Sequence, residues 1–250
     1  MRARFFCALL LLVTASSCKH EIETFPSASL SDYLPLSVGK YITYQLDSTV
    51  FTNLGQNEEL HHYQEKQEVA EQFADNLGRP SFRINRYIRT ADSLDWQVVG
   101  TFFITPLDKT VEVVEDNLRT VRLALPIKQG FSWKGNQYLP YAPYGNLYDF
   151  QSDINFDPST WDFTYESIDD TLSLNGQTLS NVVTVKQVDD ETSWGDSSLI
   201  TNKTFSEDKY AKGIGLVYQE LIMRERNPNT GDTGSFQVGF GVKRTMLEHN

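Results

Sequence analysis

From Lys40 onward the chain alternates apolar and polar residues with a period of two, interrupted at short intervals by turn-forming clusters, a pattern of antiparallel strands rather than helices. In the stretch 40–52, Ile42, Tyr44, Leu46 and Val50 fall on one side and Thr43, Gln45 and Asp47 on the other, which predicts a strand with one wet face. The stretches 60–73 and 81–89 flank Asn76-Leu77-Gly78 and read as a hairpin. The first of these is rich in Glu, Gln and Lys, and Leu60, Tyr63, Gln67 and Ala70 keep a helix-like spacing. Tyr63, Val69 and Phe73 also share one strand face, and a strand is the reading adopted.

Further strands are expected over 96–104, 110–114 and 119–125, the last two joined by a turn at Glu115-Asp116-Asn117. Prolines, glycines and aromatic residues crowd the stretch 126–158, which reads mostly as loop. Alternation returns over 162–168, 171–174 and 182–188, where Asn175-Gly176 carries the strongest short hairpin signal in the chain. Strands over 199–205, 215–224 and 235–247 complete the series, and the last two are linked by Asn227-Pro228-Asn229-Thr230-Gly231-Asp232. The expectation is an all-β, antiparallel fold, barrel-like or a sandwich, with few or no helices.

The chain ahead of this pattern reads as an address. Arg2 and Arg4 precede an apolar run from Phe5 to Val13, then small residues lead to Cys18, the three zones of an export signal. The apolar run is shorter than the roughly 20 residues needed to span a bilayer. Ala15-Ser16-Ser17-Cys18 resembles a lipobox, with alanine where that motif usually has leucine or valine. The resemblance implies cleavage before Cys18 and acylation of that cysteine. Cys7 would leave with the signal, so Cys18 would have no disulfide partner. The expected division is 1–17 signal peptide, 18–35 lipidated cysteine and flexible tether, and 36–250 a single β domain.

Asp32-Tyr33-Leu34-Pro35-Leu36-Ser37-Val38-Gly39-Lys40-Tyr41 is similar to the start of uncharacterised lipoproteins of Bacteroidota type. Tyr210-Ala211-Lys212-Gly213-Ile214-Gly215-Leu216-Val217-Tyr218 resembles a phrase of secreted β-rich domains, read physically as a strand entered through glycines. Together with the signal, these resemblances imply an outer-membrane lipoprotein held by its anchor and facing the periplasm or the cell surface.

Charge and candidate chemistry narrow the functional classes. The chain carries a net charge of −11, made more negative by loss of Arg2 and Arg4, and no Lys/Arg cluster offsets it, which disfavours nucleic acid as a partner. Histidines are few: His20, the adjacent pair His61 and His62, and His249. Neighbours on a strand point to opposite faces, so His61 and His62 do not line one site. Asp153-Ile154-Asn155-Phe156-Asp157 imitates half of a calcium loop, but Pro158 stands where the turn glycine belongs and Thr164 where the bidentate glutamate belongs. No nucleophile elbow or phosphate-binding glycine motif occurs. Neither a metal nor a cofactor is expected.

What stands out locally is aromatic: Trp133, Tyr138, Tyr141, Tyr144 and Tyr148, flanked by Phe131 and Phe150, are concentrated beside Pro140 and Pro143. Such faces suit sugars or peptides, and suit equally a lid packed over the end of a barrel. Ser48, Ser93 and Thr171 follow aspartate in tripeptides that resemble a Bacteroidota O-glycosylation pattern, which requires each hydroxyl to face solvent. The functional expectation is a non-enzymatic, lipid-anchored domain binding an envelope protein or glycan. The alternatives are a lipid or lipoprotein carrier, which needs a continuous apolar groove, and an envelope hydrolase, which needs clustered carboxylates.

Overall fold

The computed structural model describes residues 28–148, 150, 157–192, 198–228 and 234–250. The expected signal peptide, Cys18, the expected tether as far as Ser27, and the Asp153–Phe156 part of the calcium-like motif lie outside the described residues. The first six strands are β1 (Tyr41–Thr52), β2 (Asn57–Ala74), β3 (Pro80–Arg89), β4 (Gln97–Pro106), β5 (Thr110–Glu115) and β6 (Leu118–Ala124). The second six are β7 (Ser132–Trp133), β8 (Phe163–Leu174), β9 (Gln177–Thr192), β10 (Thr201–Ala211), β11 (Gly215–Asn227) and β12 (Phe236–His249). Two four-residue helices accompany them, α1 (Leu30–Tyr33) and α2 (Gly145–Tyr148).

All twelve strands belong to one sheet in the order β6-β5-β4-β3-β2-β1-β12-β11-β10-β9-β8-β7. Each half of the chain is therefore a six-strand meander, and the first and last strands pair to join them. The sheet curls until its edges meet. There, the Val121 amide donates to the Gly135 carbonyl (2.7 Å) and the Trp133 indole to the Val121 carbonyl (2.8 Å). The Tyr165 hydroxyl closes the seam lower down, donating to the Ala124 carbonyl (2.8 Å) and accepting from the Ala124 amide (3.2 Å). The fold is a nearly closed antiparallel barrel, not a sandwich.

Turn chemistry places the hairpins where the sequence predicts them. Asp116 and Asn117 both take positive φ, as do Asn175 and Gly176, the backbone that a two-residue hairpin needs to match strand twist. At Gly239 (φ +117°) a side chain would meet the Met223 carbonyl oxygen at 2.1 Å, so the β11–β12 pair closes only around glycine. The ambiguous stretch 60–73 is a strand, because its apolar positions alternate against two neighbours on a curved wall. Two expectations change. The expected strands 162–168 and 171–174 are one strand, β8, carried through three register irregularities with Asp169 at φ 56°. The strand expected over 199–205 runs instead from Thr201 to Ala211.

The end of the expected tether is also part of the fold. Ser29 caps α1, accepting from the Asp32 amide while Asp32 accepts from the Ser29 amide, a reciprocal capping box. Leu30 and Tyr33 are buried, and Ala28, Leu34 and Leu36 pack beside them. These residues close the end of the barrel where β1 begins and β12 ends, the base. Apolar residues scattered through a serine- and proline-containing stretch have the composition of a linker, and only the barrel's open end makes them core.

Inside and outside differ as alternation requires. On the outer face a row of Glu220, Lys243, Asp47 and His62 runs through four paired strands, unlike the apolar band of a lipid-facing barrel. Among the described residues no helix is long and apolar enough to cross a membrane. Near the base the interior is apolar: Val69, Ile84, Phe102, Ile104 and Val113 are buried in the main core. A smaller cluster forms where the β8–β9 hairpin meets the last strands, with Leu179, Val217 and Met246 buried and the Asn175 amide donating to the Met246 carbonyl (2.7 Å).

Candidate functional site

Above the apolar base, charges occupy positions whose parity points inward. Arg244 of β12, Gln219 of β11 and Asp208 of β10 are direct cross-strand partners, and their side chains form one hydrogen-bonded row. Arg244 Nη1 donates to Gln219 Oε1 (2.5 Å), and Gln219 Nε2 donates to Asp208 Oδ1 (2.9 Å). At one end, Arg244 Nε donates to Glu65 of β2 (3.2 Å). At the other, Arg122 of β6 donates to Asp208 Oδ2 (3.2 Å). The row thus spans the interior and links the two meanders across the seam. Arg86 of β3 donates to Glu115 of β5 at 2.5 Å, and Arg244 Nη2 lies 3.7 Å from the same carboxylate.

Burial and charge oppose each other in this belt. For Glu115, desolvation favours the neutral acid, but Arg244, Arg86 and Arg122 outweigh it and hold the carboxyl below its usual range. For Arg244, desolvation disfavours the cation, and Glu65 and Glu115 reverse that so its pKa rises. Arg122 is likewise raised, burial being outweighed chiefly by Asp208. Glu115, Arg122 and Arg244 are therefore all held in their ionised forms. Beneath it, Tyr44 and Tyr210 are pushed above the usual tyrosine range by burial, and the Tyr44 hydroxyl donates to the Leu216 carbonyl (2.8 Å).

The belt divides the interior into two spaces. Toward the base is an apolar cavity of about 100 Å³, bounded by Leu34, Leu36, Ile84 and Phe102. Toward the mouth is a polar chamber of about 320 Å³ lined by Glu65, Arg86, Glu115, Arg122 and Arg244. Glu115, Arg122 and Gln219 border both. Ligand pockets run from roughly 300 to 1,000 Å³, so the chamber reaches that range and the apolar space does not.

Strand lengths and bulges shape the chamber. β5 meets β4 only over Phe103–Pro106, and β8 meets β9 only as far as Lys186, so the wall is low on the seam side. The β7–β8 connection fills that side, placing Asn136, Tyr144 and Tyr148 at the chamber. Three register shifts leave Val99, Arg122 and Gln187 as extra residues on their strands, and all three line the chamber. Bulges re-aim side chains in this way. Gln187 is buried, its Oε1 accepts from Ser206 Oγ (2.7 Å), and its amide nitrogen has no partner; the Arg86 Nε is also buried without one.

The five aromatic candidates separate. Tyr148 stacks on Phe240 (3.8 Å between centroids, 12°), Tyr144 meets the edge of the same ring (5.5 Å), and both border the chamber. Burial raises the Tyr144 hydroxyl to about 12. Trp133 packs against Tyr165 (4.8 Å) and Phe163 and belongs to the seam. Tyr138 and Tyr141 are exposed on the outside of the connection. Of the three hydroxyls in the glycosylation-like tripeptides, Ser93 and Thr171 are exposed, whereas Ser48 lines the chamber. His61 and His62 diverge, His61 toward Glu59 (3.2 Å) and His62 toward Asp47 (2.7 Å). Among the described residues no three His, Cys, Asp or Glu side chains gather as a metal-ligating group.

Sequence reasoning missed the belt and Gln187. The signal was present as single charges on an otherwise apolar parity: Arg86 between Ile84 and Ile88, Glu115 after Val111 and Val113, Arg244 between Val242 and Met246. Each alone reads as an irregularity, and only the barrel brings them to one level.

Fold and site together define a nearly closed antiparallel β-barrel with an interior chamber lined by charged residues. No protein-family model and no curated protein matches the chain. Among solved structures it is similar to a protein of YmcC-like fold from Bacteroides fragilis NCTC 9343, inferred to be exported, at 12% identity over 85% of this chain and 97% of that one, with a TM-score of 0.36.

Proposed function

We propose that this protein is a lipid-anchored envelope protein of the outer membrane whose barrel binds a small polar ligand in the chamber above the ionic belt. The observation that carries the reading is the chamber itself, about 320 Å³ lined by the charged belt and by aliphatic side chains such as Ile88 and Val242, above the smaller apolar cavity. Burying ions costs more than packing apolar side chains in the same volume, so the belt is explained by what it faces. A lipid carrier is less well supported. Its guest would have to fit about 100 Å³, less than the ~150 Å³ that accommodates a benzene-sized molecule. Carboxylate hydrolysis needs an acid kept protonated near neutral pH, and Glu115 is held ionised.

The address rests on Ala15-Ser16-Ser17-Cys18 and the lack of a second cysteine after it. A Cys18→Ala variant is expected to fold and to move from washed membranes to the soluble fraction; retention in the membranes contradicts the anchor. Native mass spectrometry of protein extracted gently from its host envelope tests the chamber. A bound small molecule is expected, and it should be lost when Ser48→Phe fills the space. Absence of adducts, or an adduct indifferent to Ser48→Phe, contradicts the binding reading.

A further inference from the structure

We infer that the ligand is a neutral polyhydroxylated ring, a pyranose either free or at the end of a glycan, seated between the Tyr144–Tyr148 pair and the donors of Arg86 and Gln187. This inference rests on the chamber being the ligand site, and it follows from three observations there.

The first is charge balance. Arg86, Arg122 and Arg244 already face Glu115, Asp208 and Glu65, and Asp116 stands 3.7 Å from Arg86 at the rim. An entering anion meets no unmatched cation, and a buried charge without a partner is strongly disfavoured.

The second is which groups lack partners. Gln187 is 6% exposed and its amide nitrogen is unpartnered, as is Arg86 Nε. Both are donors, and an oxygen acceptor would satisfy either. A hydroxyl fits best, because it accepts from one group and donates to another and so satisfies the Gln187 amide in either orientation. Other buried side-chain atoms without a partner, such as Thr201 Oγ1 and Thr204 Oγ1, lie elsewhere in the barrel, and these two are the ones in the chamber wall.

The third is the aromatic mouth. Tyr148 lies flat on Phe240, with Tyr144 edge-on to it, and neither tyrosine hydroxyl hydrogen-bonds to the described protein. An apolar face beside free hydroxyls matches the two sides of a pyranose, its C–H face and its rim of hydroxyls.

The test is calorimetric titration of the intact chain with glucose, galactose and N-acetylglucosamine, each as the free sugar and as its β-methyl glycoside, alongside acetate, phosphate and choline. Saturable binding of at least one sugar is expected, weakened roughly tenfold by Gln187→Leu through loss of hydrogen bonds. Tyr148→Ala, which removes the aromatic face over Phe240 at the mouth, is expected to weaken it similarly. Leu77→Ala, at an exposed turn near the base, is expected to leave it unchanged. Preference for the glycoside identifies a glycan end, and equal binding a free sugar; both support the inference. Binding of acetate, phosphate or choline without any sugar overturns the inference and leaves the chamber reading standing. Sugar binding indifferent to both Gln187→Leu and Tyr148→Ala overturns the placement, and binding of none of the probes overturns both readings.

Discussion

Below Glu115 the strands fill the barrel with Val69, Ile84, Phe102, Ile104 and Val113, and Leu34 and Leu36 close the base. Above it, the same strands turn Tyr63, Glu65, Arg86 and Arg244 toward open space. Along β2, β3 and β12 the inward parity runs through both regions and only the side chains differ, whereas on β4, β6 and β9 a bulge resets it at the chamber. Each fully buried aliphatic or aromatic residue of the base stabilises the fold by about 1.5–3 kcal/mol. The belt offers no comparable gain, since Coulomb attraction between its members mainly offsets their desolvation. The base therefore holds the barrel together, and the belt fixes the chemistry of a space that the barrel was not required to leave.

The difference can be broken from either side. Phe102→Ala removes a ring from the base and is expected to cost about 3–5 kcal/mol in urea unfolding. Glu65→Ala is expected to cost a similar amount for another reason, because Arg244 is then buried without its main partner. The sharper experiment replaces both partners. A Glu65→Met, Arg244→Met double variant is expected to be neutral or more stable by about 1–4 kcal/mol, while losing ligand. A loss equal to that of Glu65→Ala alone would show that the pair stabilises the fold after all.

Titration separates the regions more gently. Because Glu115 is held below its unfolded value, it contributes stability above the ordinary value of 4.5, and this is lost as pH falls through its folded pKa. Tyr144 behaves in the opposite sense. Its neutral form is favoured up to about 12 against an ordinary 10.0, so its contribution is complete below pH 10 and lost as pH rises through 12. Urea midpoints across pH should show both limbs, with Glu115→Gln flattening the acid one and Tyr144→Phe the alkaline one. The smallest effect belongs to α1 at the base: Ser29→Ala removes its cap and should cost about 1 kcal/mol.

Much of the fold was legible because alternation and turn chemistry are local. Asn175-Gly176 and Asp116-Asn117 announce hairpins within a few residues, and Ile42, Tyr44 and Leu46 announce a face. Closure was not legible, since it depends on Val121 meeting Gly135 and Tyr165 meeting Ala124, contacts between residues with no shared pattern. The docking of Leu30 and Tyr33 was hidden for the same reason. At the site, the aromatic cluster was visible as composition, but composition does not distinguish Tyr144 and Tyr148 at the chamber from Trp133 in the seam or Tyr138 and Tyr141 outside. Arg122 and Gln187 were the least legible, because each owes its inward direction to a bulge that appears only when two strands are set in register.

The most direct measurement of the central claim, that the polar chamber and not the apolar base is where the ligand sits, is the side-chain amide resonance of Gln187 followed by NMR during a titration with the best-binding methyl glycoside. A saturable shift of that resonance is expected, at the calorimetric affinity, while the methyl signals of Ile84 and Ile104 in the base stay in place. A Gln187 amide that does not move while the base methyls shift would contradict the account.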